Sequence, residues 1–255
     1  MRFSSFPRLL FLALSSSFLF ACNEKEELVT ESLTDYMPLA AGKYITYRLD
    51  SLVFTNFGRS TEIHKYQVKH QVDALITDNL GRPAYRVFRF IRDSAGLQAW
   101  QPNGSYFITA LADQVEVTDD NLRMIKLHLP IKDGYSWKGN RYLPLDPYGP
   151  LFDISNDDNM SDWDYFYDGA PASFSYQGKN YSNVLTTEQV DEVINVPITS
   201  PGSYAAKSRV VERYSKTIGL VFRQFEIWEY QPNTGQPGGP FTTGFGVTMW
   251  MIDHN

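Results

Sequence analysis

An all-β fold is predicted for this chain of 255 residues: a single antiparallel meander forming a strongly curved sheet or an open barrel, preceded by a signal peptide and a flexible tether. Three observations predict it. Apolar and polar side chains alternate with period two over long runs. Residues suited to tight turns recur at hairpin spacing, and no apolar stripe of helical period is visible in the mature part.

Residues 1–21 are expected to be a targeting signal. Arg2 and Arg8 supply a short positive region, and Leu9 to Phe20 is apolar apart from Ser15, Ser16 and Ser17. That run is shorter than the roughly 20 apolar residues a transmembrane helix needs, and it fits a secretory signal. It ends in Leu19-Phe20-Ala21-Cys22, which resembles a lipobox: leucine stands three positions before the cysteine and alanine directly before it. The resemblance implies lipidation of Cys22, cleavage just before it, and a membrane attachment through acyl chains, each buried methylene contributing about 0.8 kcal/mol. Cys22 is the only cysteine. An intrachain disulfide, thiol catalysis and cysteine-ligated zinc are therefore excluded, and stability must come from the core.

Residues 22–35 are expected to be a solvated tether, opening with Asn23-Glu24-Lys25-Glu26-Glu27 and almost free of apolar side chains. Its root-mean-square reach would be roughly 20 Å. Lys25-Glu26-Glu27 resembles the acidic export signal of some Gram-negative lipoproteins, which implies the cell surface of the outer membrane over its periplasmic face. Removing residues 1–21 takes away two of 23 basic residues and leaves 21 against 29 acidic ones, a net charge of −8. An acidic surface argues against nucleic acid and against adsorption to anionic headgroups.

Residues 36–255 are expected to form the all-β domain. Ile45, Tyr47 and Leu49 oppose Tyr44, Thr46 and Arg48. The longest alternation sets Tyr66, Val68, His70, Val72, Ala74 and Ile76 against Lys65, Gln67, Lys69, Gln71 and Asp73. At about 3.3 Å per residue it would run near 40 Å. Ile125, Leu127 and Leu129 oppose Met124, Lys126 and His128, and the β-branched content of Val184 to Val196 favours strand. Turns are expected at 78–81, 93–96, 102–104, 119–121, 177–180 and 216–219, all built from Asp, Asn, Gly and similar residues. Leu143 to Gly169 should be a long excursion from the sheet, and Gln231 to Gly244 a Pro/Gly loop.

Three stretches punctuate this region: Tyr36 to Tyr44 (YMPLAAGKY), Leu129 to Trp137 (LPIKDGYSW) and Tyr214 to Val221 (YSKTIGLV). Together they resemble a loose group of uncharacterised Gram-negative bacterial lipoproteins. The resemblance implies a long-stranded, strongly curved antiparallel sheet and transfers no activity.

Four features could carry chemistry. Arg86, Arg89 and Arg92 fall on alternating sides of one run, as do Arg223, Glu226 and Glu229 of another. Charge on both faces points to a wet concave side such as a small-molecule cleft, or to strand ends and snorkelling stems. Asp157, Asn159, Ser161 and Asp168 have the spacing of calcium-loop positions 1, 3, 5 and 12. Position 6 is Asp162 where glycine is wanted, so a solvated acidic loop is the other reading. Trp163, Tyr165 and Tyr167 lie beside carboxylates and could stack a sugar, or belong to an edge strand with its rings turned inward. His64 and His70 are about 20 Å apart along one strand and cannot share a metal; His70 suits a buried, hydrogen-bonded core position.

No nucleophile elbow, zinc-binding His-Glu-x-x-His or phosphate loop is present. The expectation is a lipid-anchored, non-enzymatic envelope domain that binds a ligand or a partner protein and needs no cofactor, calcium at the acidic loop being the one candidate. A glycan-acting hydrolase and a structural accessory of an outer-membrane assembly are the alternatives. Two carboxylates converging in a pocket would favour the hydrolase.

Overall fold

The computed structural model describes residues 31–156, 159–233, 235 and 238–255, so the signal peptide, Cys22 and the tether as far as Thr30 lie outside the described residues. Thirteen strands follow one another: β1 Tyr44–Thr55, β2 Ser60–Thr77, β3 Pro83–Asp93, β4 Gln101–Ala110, β5 Gln114–Asp119, β6 Leu122–His128, β7 Ser136–Trp137, β8 Tyr165–Tyr167, β9 Ala172–Tyr176, β10 Lys179–Ile194, β11 Ala205–Ser215, β12 Gly219–Gln231 and β13 Phe241–His254. They form one antiparallel sheet in the order β6-β5-β4-β3-β2-β1-β13-β12-β11-β10-β8-β7, with β9 paired to β10 off this path. The first and last strands pair, so the two outermost strands, β6 and β7, are neighbours in sequence.

Those two edges meet. The Ile125 amide donates to the Gly139 carbonyl at 2.8 Å, and the Trp137 indole N–H donates to the Ile125 carbonyl at 2.8 Å. The sheet is therefore a nearly closed barrel, which leaves little unpaired edge for another chain to join.

Turn chemistry sets the hairpins. Asp120 and Asn121 both take positive φ, 48° and 63°, in the two-residue link between β5 and β6. Asp78 Oδ1 accepts the amides of Leu80 and Arg82. The stretch at 102–104 is not a turn, contrary to expectation. It lies inside β4, opposite the irregularity between Phe88 and Phe90, and the chain reverses instead at 94–100.

Bulges alter the predicted faces. Val72 pairs with Val87 but Ala74 with Arg86, so Asp73 is an extra residue. Beyond it the alternation flips, and Ala74 and Ile76 leave the face shared by Val68, His70 and Val72. A second bulge decides more. Val115 pairs with Leu127 and Glu116 with Ile125, leaving Lys126 unpaired and turned into the barrel, where it is 4% exposed.

Both ends of the barrel are filled. At one, helix α1 (Leu33–Tyr36), capped by Ser32, buries Leu33 and Tyr36 among Val72, Val87, Ile108 and Tyr214. The Thr217 amide donates to the Asp35 carbonyl at 2.6 Å, and Lys216 holds Glu31 at 2.9 Å. Residues 31–35, expected to belong to the tether, are thus packed on the barrel, because two apolar side chains one helical turn apart suffice to dock them. All three stretches that carry the lipoprotein resemblance meet here, through Tyr36, Leu39, Leu129, Ile131, Tyr135, Tyr214 and Leu220. At the other end the excursion packs Leu143, Tyr148, Phe152, Ile154, Met160 and Trp163 on Val210, Phe225, Ile227 and Phe245. It contains the short helix α2 (Gly149–Phe152) and then rejoins the sheet as β8.

Candidate functional site

Between these two plugs the barrel wall lines a cavity of about 290 Å³ that is open in part to solvent. Alternation supplies its wall. Ile45, Tyr47 and Leu49 come from β1, Val68, His70 and Val72 from β2, and Val247 and Met249 from β13. Met37, Leu39, Ile218 and Leu220 add apolar surface near α1, where Lys43 also stands, its ammonium donating to the carbonyls of Asn255 and Thr217.

One region of the wall is charged. Arg89, Asp119, Lys126, Glu212 and Arg223 all line it. Glu212 Oε1 accepts from Lys126 Nζ at 3.0 Å, and Glu212 Oε2 accepts from the Tyr214 hydroxyl at 2.6 Å. Lys126 also donates to the Tyr165 hydroxyl at 3.0 Å. Arg89 Nη1 donates to Asp119 Oδ2 at 2.7 Å. Arg223 Nε lies 3.3 Å from Glu212 Oε1 without making a hydrogen bond, and its guanidinium stacks on Phe225. Asp119 Oδ1 is buried and has no donor among the described residues.

The electrostatics follow from this crowding. Desolvation acts against the Glu212 carboxylate, but Lys126 and Arg223 outweigh it and hold the group below its usual range. Asp119 is pushed up, mainly by burial, with Arg89 opposing. Burial, with Arg89 and Arg223 adding repulsion, drives the His70 imidazole down to about 3. His70, half-buried on the cavity wall, is therefore neutral at physiological pH. Its Nδ1 is 3.1 Å from the Tyr106 hydroxyl, and Tyr47 and Tyr106 meet the ring edge-on.

A pH dependence follows with a definite sign. Between its ordinary value of 6.5 and about 3, His70 takes up a proton when unfolded and refuses it when folded. Stability should thus fall as pH is lowered through that window, by up to about 1.4 kcal/mol per pH unit for one proton. Asp119, raised in the folded state, acts in the opposite sense, so the test belongs at about pH 5 to 6.5, closer to the ordinary value of His70, 6.5, than to that of Asp119, 3.8. There His70→Gln should unfold with a flatter pH profile than the wild type in urea titrations. Identical slopes would show that His70 protonates freely in the barrel.

The candidates read from sequence are placed as follows. Arg89 and Arg223 reach the interior, in line with charge on both faces of a curved sheet, while Arg86 pairs with Asp73 and Arg92 donates to Gln67. Tyr165 and Tyr167 are 1% and 0% exposed, and their rings pack on Trp137 at 5.6 and 4.8 Å between centroids. Trp163 packs into the excursion's apolar cluster. The Tyr165 and Tyr167 rings of β8 thus face inward together, as period two permits. Of the proposed calcium ligands, Asp157 lies outside the described residues. Asn159 and Asp168 are exposed and Ser161 is half-buried, and no group of three acidic, His or Cys side chains among the described residues could hold a metal. His64 is exposed on β2 and pairs with Glu62 at 2.8 Å.

Lys126 and Glu212 were missed by the alternation. Glu212 had a readable signal: it interrupts the apolar face that Val210 and Tyr214 continue. Lys126 had none, because a bulge carries it inward.

A second, more open cleft of about 770 Å³ adjoins the excursion and is lined by Phe54, Phe57, Leu151, Phe152, Phe241 and Phe245. Phe57 and Leu151 are 90% and 76% exposed there.

Fold and cavity together define a class: an antiparallel barrel, plugged at both ends, around an internal space that is apolar with one charged region. No family model matches the chain, and no curated protein matches it. Among solved structures, a DUF1329 family protein from Desulfovibrio piger aligns with 87% of this chain and 88% of its own, at 10% identity and a TM-score of 0.19. At that score nothing about the present chain follows from the likeness.

Proposed function

We propose that this protein is an outer-membrane lipoprotein, anchored through Cys22, whose barrel holds a small, largely apolar ligand without transforming it. The observation that carries this reading is the internal cavity, walled mostly by aliphatic and aromatic side chains with a few converging polar groups, the usual composition of a ligand site. Binding is favoured over glycan hydrolysis by the state of the two carboxylates. A glycosidase needs one carboxyl free to protonate the leaving group and another free to attack or to activate water. Here both Glu212 oxygens are engaged by Lys126 and Tyr214, so Asp119, whose Oδ1 is unengaged, has no second free carboxyl beside it among the described lining residues. The lipobox and the acidic residues after it support the anchor and the surface location.

The test is native mass spectrometry of protein extracted from the membranes of a Gram-negative host. The wild type should carry a covalent acyl modification, absent from Cys22→Ala, and a non-covalent small-molecule adduct. Val247→Trp, which fills the cavity, should lose the adduct and keep the acyl chains, whereas Phe57→Ser in the outer cleft should keep both. A wild type without any adduct, even after incubation with medium-chain alcohols, would overturn the cavity reading. Acylation that survives Cys22→Ala would overturn the anchor.

A further inference from the structure

We propose that the cavity selects a single-chain amphiphile bearing one negative charge, and that Arg223 receives its head group. This inference deepens the reading of the cavity as a ligand site and rests on it.

Charge is the first argument. Among the described residues, Arg89, Lys126 and Arg223 stand against Asp119 and Glu212 in the charged region, and His70 is neutral there, so one positive charge is unmatched among them. A buried charge without a partner is costly, and a ligand of opposite sign removes that cost. A neutral or cationic ligand would not.

Arg223 is the cation with donors to spare. Lys126 is committed to Glu212 and Tyr165, and Arg89 to Asp119 and the Asn103 carbonyl. Arg223, by contrast, makes no hydrogen bond among the described residues, although its Nε is buried and Glu212 is 3.3 Å away. It stands on β12 between Glu212 of β11 and Met249 of β13, and 25% of its side-chain surface is accessible, facing the cavity. A planar guanidinium with free nitrogens matches a carboxylate in bidentate fashion, and would do so more strongly in this low-dielectric setting than at a surface.

The rest of the wall selects the tail. Apolar side chains from Leu39, Ile45, Val68, Leu220, Val247 and Met249 complete the cavity. Its volume of about 290 Å³ stands at the small end of ligand pockets, which suits one alkyl chain and not the two of a phospholipid.

The experiment is a competition read by native mass spectrometry. The lipidated protein, in detergent, is incubated with equimolar dodecanoic acid, dodecanol and dodecyltrimethylammonium. The acid adduct should exceed the alcohol adduct by at least about tenfold, and the ammonium adduct should be the weakest. Arg223→Gln should bring acid and alcohol to parity while the alcohol still binds. Arg223→Lys should keep a preference for the acid, which separates loss of charge from loss of fold. Equal binding of all three compounds by the wild type, or an acid preference that survives Arg223→Gln, would overturn the anionic head at Arg223 and leave the cavity reading standing. Absence of every adduct would overturn the cavity reading itself.

Discussion

Glu212→Leu should destabilise the protein by about 3–5 kcal/mol, the loss seen when one partner of a buried ion pair is removed. Glu212 is 3% exposed on β11 and is the only carboxylate within ion-pair reach of Lys126 and Arg223 among the described residues. Its removal would strand the ammonium of a lysine whose side chain is 5% exposed and take the acceptor from the Tyr214 hydroxyl. The interaction also bridges β6 and β11, strands far apart along the sheet, so its loss should loosen the barrel across its interior. The double variant Lys126→Met with Glu212→Leu should recover much of the deficit, because an apolar pair needs no desolvated charge. The acid side follows from the same group. A carboxyl held below its usual range contributes stability that is present at neutral pH and lost as pH falls through its folded value. Urea midpoints for the wild type, the single variant and the double variant decide the matter. A single variant within about 1 kcal/mol of the wild type would show that the cluster is solvated and not a buried network.

Gly139→Ala should cost at least about 3 kcal/mol, near the upper end for overpacking, because neither neighbour can yield. A Cβ at this position would run into the Tyr165 ring and come within 2.7 Å of the Ile125 carbonyl oxygen. Tyr165 is 1% exposed, stacked on Trp137 and bonded to Lys126, so it cannot swing aside. The Ile125 carbonyl is held by the Trp137 indole. Gly139 also accepts the Ile125 amide across the seam between the sheet's two edges. The expected consequence is an opened seam as well as a lower unfolding midpoint, visible as faster amide exchange at Ile125. Gly202→Ala is the control, since nothing lies within 4 Å of its Cβ position. Equal stability of the two variants would mean that the β6–β7 seam is not closed in solution.

Much of the barrel was legible because it is encoded locally. Ile45, Tyr47 and Leu49 read as one face from their spacing alone, and all three line the interior. Asp120 and Asn121 read as a hairpin because their side chains tolerate positive φ. His70 was readable as an inward, hydrogen-bonded histidine from its apolar neighbours on the same face, although it stands half-buried on the cavity wall. Tyr165 and Tyr167 could be assigned either to a sugar or to the core, because alternation marks a face without saying whether that face is covered. Lys126 could not be read, since its inward turn comes from a bulge defined only by pairing with β5. The plug at α1 escaped notice for a similar reason: Leu33 and Tyr36 mean little until the β11–β12 hairpin lies beside them.

By itself the sequence determined the class of fold, most of the strands, the hairpin chemistry and the lone cysteine on which the proposed anchor depends. These are properties of residues within a few positions of one another, governed by backbone sterics and side-chain period. Only the tertiary structure decided that the sheet closes, that both ends are plugged and that three cations share an interior with two carboxylates. Lys126 and Glu212 are 86 residues apart, and their meeting depends on the register of every strand between them, including each bulge. Register is a collective property of the whole sheet, which is why the charged cavity appears only once the strands are laid side by side.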